Sequence, residues 1–95
     1  MSAYMVIRVT PSDGEKMQDY ESRTLSVVEQ FGGRPIARDE DPLALETDHK
    51  PAIAVVLEFP SKADVRAFYE SEAYAPLKEF RHTFADAEAL VIDGI

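Results

Sequence analysis

Ala52-Ile53-Ala54-Val55-Val56-Leu57-Glu58-Phe59, closed by Pro60-Ser61, is the stretch on which the fold turns. Its nearly unbroken apolar character marks a central strand buried on both faces rather than a half-exposed edge. Pro60 has no N–H to give a sheet ladder and ends the strand. Ser61 and Asp64 then stand at capping-box spacing, where hydroxyl and carboxylate satisfy free backbone donors, and Val65, Phe68 and Tyr69 follow at helical intervals. One strand running straight into one helix is therefore the anchor for everything around it.

Upstream, Ala3 to Val9 alternates two side-chain sets, with Met5, Ile7 and Val9 on one face and Tyr4, Val6 and Arg8 on the other, so it reads as a second strand. Pro11 closes it. Ser12 and Glu15 have capping-box spacing and predict a helix start there, and Met17, Tyr20, Thr24, Leu25, Val28 and Phe31 form its apolar stripe. Gly32-Gly33 supplies the left-handed backbone that stops it. Arg34 to Arg38 is a short extended stretch, and Asp39-Glu40-Asp41-Pro42 reads as a solvated bend interrupting an edge strand that resumes over Leu43 to Glu46. The turn Asp48 to Pro51 leads back to the central strand. Downstream, the second helix breaks near Ser71-Glu72, Pro76 suits the first turn of a further helical segment, and Leu77, Phe80, Arg81 and Phe84 share one face of it. Ala87 to Asp93 is the last strand. The order β-α-β-β-α-β predicts an α+β, ferredoxin-like sandwich, an antiparallel four-stranded sheet with its helices on one face.

Ninety-five residues, 45% hydrophobic and 29% charged, fit one domain over 1–95 with one core and no linker. A net charge of -8 excludes the basic footprint of a nucleic-acid binder and disfavours anionic membranes. No apolar run approaches the ~18 residues of a membrane span. Without cysteine there is no disulfide framework, thiol catalysis or thiolate metal site, which predicts a reducing, cytoplasmic setting. His49 and His82 are the only histidines and have no metal-ligand spacing, so no metal is expected. Ser61 and Ser71 lack a nucleophile elbow and read as helix-end hydrogen bonders.

One sheet face is filled by Met5, Ile7, Val9, Ile53, Val55, Leu57 and Phe59 beneath the helices. The other would carry Tyr4, Val6, Ala54, Val56 and Val91, and a contiguous apolar patch of that kind is unusual on a monomer. A homodimer through this open face is expected. The competing reading leaves the face partly exposed, with Arg8 and Glu58 on its margins making that tolerable.

Gly32-Gly33-Arg34, Ala37-Arg38, Leu57-Glu58-Phe59-Pro60-Ser61, Tyr69-Glu70-Ser71, Tyr74, Leu77-Lys78 and Arg81 together resemble the signature of the bacterial DUF1330 family, a domain of unknown function. Tyr20 and the closing Val91-Ile92-Asp93-Gly94 resemble the same family, so the likeness covers nearly the whole chain. The resemblance implies a dimeric α/β barrel of two ferredoxin-like protomers. It also implies a small-molecule space between helices and sheet, lined by Tyr20, Arg34, Tyr69, Tyr74 and Arg81. Among relatives of this superfamily, cofactor-free oxygenation and isomerisation occur, and its haem-degrading members use Asn and Trp, which this chain lacks. No cofactor is therefore expected. Arg34 and Arg81 would hold an anionic end, Tyr20 or Tyr69 would donate or relay a proton, and Glu58 is the strand carboxylate able to act as a base. The function expected is binding or transformation of a small polar or aromatic metabolite. The alternative is a non-catalytic homodimeric ligand-sensing or scaffold module, with the tyrosines in the core and Arg81 paired to Glu58 or Glu70.

Overall fold

The computed structural model describes residues 2–95. Strand β1 (Ala3–Pro11) leads into helix α1 (Gly14–Gln30), strand β2 (Arg34–Asp39), strand β3 (Ile53–Phe59), helix α2 (Lys62–Tyr69), helix α3 (Ala75–His82) and strand β4 (Ala85–Asp93). The sheet runs β2-β3-β1-β4 with every neighbouring pair antiparallel. This is the ferredoxin-like order, with three helices rather than two because the chain breaks at Ser71. There the Ser71 hydroxyl donates to the Phe68 carbonyl and accepts from the Tyr74 N–H. Overall extents of 32 × 31 × 16 Å leave thickness for one sheet and one helix layer, so the second sheet face is bare.

The core forms where the odd-numbered residues of β1 and β3 meet the helices. Met5 pairs across to Leu57, Val9 to Ile53 and Ala3 to Phe59, and all six are buried against Met17, Tyr20, Thr24, Val27 and Val28 of α1 and Val65 and Phe68 of α2. Leu25 belongs to the predicted stripe yet is exposed, and Val27 takes a buried place instead. Phe68 centres an aromatic cluster, with ring centroids 5.6 Å from Phe59, 6.3 Å from Phe31 and 4.6 Å from Tyr74. Such tilted and edge-on pairs add to the burial of their area.

Four sequence expectations need correction. The cap of α1 is Asp13, which accepts from the Lys16 N–H at 3.1 Å, while Ser12 donates its hydroxyl to the Phe84 carbonyl and so ties β1 to the end of α3. The edge strand does not resume over Leu43 to Glu46. Because Asp39 already pairs with Ala54 near the start of β3, no partner remains for it. Asp41 N–H turns back onto the Asp39 carboxylate at 2.8 Å, and Leu43 and Leu45 lie exposed in the loop. The last strand starts at Ala85, two residues earlier than predicted. Finally, Val91 pairs with Met5 and faces the helices, so the open face receives Leu90 and Ile92, opposite Val6 and Tyr4. A slip of one residue exchanges the faces of a whole strand.

Candidate functional site

Two local features open space between α1 and the sheet. On the inner face of β4, Ala89 stands where a larger side chain would fill the layer. In β2, a bulge between Pro35 and Ala37 reverses the alternation and turns Arg38 inward. Arg38 then grips Glu21 of α1 through Nε and Nη2 at 2.7 and 2.8 Å. This ion pair bridges the rim of a cavity of about 230 Å³ whose wall is otherwise almost wholly apolar. By comparison, an apolar void of about 150 Å³ holds benzene.

Tyr20 reaches this cavity from α1 and Tyr74 from the start of α3, and their hydroxyls are 2.6 Å apart. Burial, with Tyr74 adjoining, holds the Tyr20 phenol above its ordinary pKa and keeps it protonated. Arg81 also lines the cavity, on the face of α3 predicted for it. Burial opposes its charge, but the Tyr74, Tyr20 and Tyr69 hydroxyls outweigh that and raise its pKa. Thr24 and Arg81, both on the cavity wall, each hold one buried polar atom, Oγ1 and Nε, with no partner at hydrogen-bonding geometry. Buried polar groups are nearly always paired, so two orphans on the residues of one wall are a positive signal.

On its other side Arg81 borders a shallower groove of about 530 Å³, over β4, shared with Tyr69, Arg66, Lys62 and His82. Tyr69 lies 5.7 Å from Tyr74, ring to ring, with the Lys78 ammonium 4.2 Å above its face. Tyr20, Tyr69, Tyr74 and Arg81 are thus brought together. Arg34 and Glu58 are not: they pair with each other on the open sheet face, Nη2 to Oε1 at 2.7 Å. That hydrogen bond from Arg34 holds the Glu58 carboxyl below its usual range. Neither expected acid reaches Arg81, since Glu70 pairs with Arg66 at 3.3 Å. Thr24, Glu21 and Arg38 are site residues that the sequence did not single out. The alanine alternation of β4 was the legible sign of empty volume. Among the described residues no group of three His, Asp or Glu side chains is placed to hold a metal ion.

The model of DUF1330, a domain of unknown function, matches residues 2–95. The chain belongs to the DUF1330 family. No curated protein matches it. Solved structures similar to this DUF1330 chain include a protein of unknown function from Rhodopseudomonas palustris, at TM-score 0.80 and 17% identity over 99% of this chain and 82% of that one. SnoaB, a cofactor-independent oxygenase from Streptomyces nogalater, aligns at TM-score 0.74 and 13% identity over 99% and 93%. A dimeric protein of unknown function and ferredoxin-like fold from Bacteroides fragilis aligns at TM-score 0.59 and 12% identity over 98% and 96%. At these identities the likeness is one of fold. No helix among the described residues is long and apolar enough to cross a membrane.

Proposed function

We propose that this DUF1330 protein binds a small, largely apolar metabolite carrying a polar head, and acts on it without a tightly bound cofactor. The observation that carries the reading is the apolar cavity walled by Thr24 and Arg81, whose Oγ1 and Nε lack partners, beside the Tyr20–Tyr74 hydroxyl pair. Apolar walls with a few convergent polar groups are the usual form of a ligand site. Tyr20 or Tyr74 would donate a hydrogen bond or proton, and Tyr69 would close the site from the β4 side. The fold shared with the cofactor-independent oxygenase SnoaB supports the chemical part by analogy. A homodimer through the open sheet face belongs to the same reading. Leu90 and Ile92 are 59% and 48% exposed there, and a structural neighbour of this fold is dimeric.

The non-catalytic, ligand-sensing alternative has one observation in its favour. The carboxylate on the cavity wall, Glu21, is neutralised by Arg38, and Glu58 lies on the other face of the sheet, paired with Arg34. An unbiased metabolite screen by thermal shift tests the binding reading, because a ligand at a hundredfold excess over Kd stabilises by about 2.7 kcal/mol. The expected result is at least one hit whose shift disappears in Ala89→Phe, which fills the cavity. A screen without hits sinks it. A hit that survives long incubation chemically unchanged decides for the sensing module.

A further inference from the structure

Two arginines meet carboxylates here through the same edge. Arg38 presents Nε and Nη2 to the two oxygens of Glu21, and Arg34 turns the same two nitrogens to Glu58, at 2.8 and 2.7 Å. Of the six arginines in the sequence, Arg23 and Arg66 also pair with acids four residues away, and Arg8 is satisfied by the His49 carbonyl. Arg81 breaks the pattern. Its Nε is buried without a partner, its Nη2 lies 3.4 Å from Nε2 of His82, and the Tyr69 hydroxyl, again not an acid, is a further hydrogen-bonding neighbour of the guanidinium. The chain carries 18 acidic residues, and none of the described ion pairs includes Arg81. The groups around this half-buried guanidinium are phenols rather than carboxylates, so its charge is supported but its fork is filled by no acid of the chain.

We propose that the Nε/Nη2 edge of Arg81 is the seat of a carboxylate, and that the ligand is an apolar monocarboxylic acid whose hydrocarbon or aryl body occupies the cavity under α1. The inference rests on that cavity being the ligand site and adds the class of ligand. A carboxylate fits because its two oxygens match the two parallel N–H donors of the guanidinium edge, as Glu21 does on Arg38. A single negative charge fits because the other cations of the adjoining groove are occupied, Lys62 by Asp93 at 3.4 Å and Arg66 by Glu70. Arg38, the other cation on the cavity wall, is likewise taken up by Glu21 and Glu40. The apolar body follows from the wall, in which Met5, Ile7, Val28, Val55 and Leu57 face inward. Thr24 Oγ1 offers one further hydrogen bond to a polar substituent on that body.

The test uses two matched probe series, the phenylalkanoic acids from phenylacetate to 4-phenylbutyrate and the alcohols of the same carbon skeletons, titrated by calorimetry into the intact protein near neutral pH. Wild type should bind the best acid roughly ten- to hundredfold tighter than its alcohol, the preference expected of a charge-assisted bidentate contact. Arg81→Met keeps the apolar stem and should abolish the preference by weakening the acid alone, while Arg81→Lys, with charge but no fork, should retain only part of it. Alcohols that bind as tightly as acids overturn the carboxylate seat and leave the cavity reading standing. Failure of every acid and every alcohol to bind overturns both. If a variant unfolds by circular dichroism, the wild-type comparison of acid with alcohol still decides.

Discussion

Tyr20 and Tyr74 are each other's hydrogen-bond partner at 2.6 Å in a buried setting, so removing one hydroxyl orphans the other. Tyr20→Phe is expected to cost ~1 to 2 kcal/mol at neutral pH, a fall of several degrees in Tm for a chain of this size. The pH dependence has a definite sign. The Tyr20 pKa is raised by burial above the ordinary 10.0, so the stability its neutral phenol contributes is fully present below pH 10.0 and is lost as pH climbs beyond that value towards its own raised pKa. Melting curves of wild type and Tyr20→Phe should therefore converge as pH rises past 10, and a gap that stays constant to pH 11 would count against the buried, protonated phenol. Helical spacing put Tyr20, Tyr69 and Arg81 on or beside apolar faces, while Tyr74, and the grouping of all four, came with the family resemblance. Thr24 stood in the same stripe, but its hydroxyl mattered only once the structure showed that nothing satisfies it.

Between elements, the tightest seam is where the end of α1 crosses β3. Gly32 takes the left-handed conformation at φ +83° that stops the helix, and Gly33 lies so close to β3 that a Cβ there would sit 2.6 Å from the Phe59 ring and 2.8 Å from Val28. Both neighbours are core residues with no room to move. Gly33→Ala is thus expected to destabilise by ~1 to 3 kcal/mol or more through overpacking. Gly14→Ala, with nothing within 4 Å of its added methyl at the first position of α1, should be neutral or stabilise by up to ~1 kcal/mol. Urea melts of the pair measure both, and equal effects would mean that the seam is looser than it looks. Sequence patterning fared well wherever an element had a strong one-sided stripe, as in β1 and α1. It failed over Leu43 to Glu46, where residues of good strand propensity have no neighbouring strand to bond. It failed again in β4, where the run Leu90-Val91-Ile92 looks apolar on both faces, although Asp86 and Glu88 alternating with Ala85, Ala87 and Ala89 already mark the outer side that the pairing of Val91 with Met5 fixes. The Glu21–Arg38 pair joins residues 17 positions apart through a bulge, a contact that no periodicity announces.

For the molecule as a whole, the unbalanced feature is a sheet with helices on one side only. Its bare face carries Val6, Ala54 and Val56 on the two central strands and Leu90 and Ile92 on the edge strand β4, with Arg34–Glu58 at one end and the loop held by Arg8 at another. Burying that face against a second copy across a twofold axis removes apolar area from water on both protomers, at ~25 cal/mol per Å², and leaves the polar groups at the rim. The corrected register decides which substitutions report on it. Val56→Lys, on the central strand β3, and Leu90→Lys, on the edge strand β4, place an ammonium on the face where dimerisation would have to desolvate it, and each should shift the protein from dimer to monomer in light scattering with little change in far-UV circular dichroism. Val91→Lys serves as the opposing control. Its side chain points into the groove beneath α2 and α3, beside Val65 and Tyr69, so its effect should fall on thermal stability rather than on assembly. Wild-type protein that runs as a monomer at micromolar concentration would remove the dimer altogether. A dimer dissociated by Val91→Lys but untouched by Leu90→Lys would place the interface on the helix side of the sheet instead.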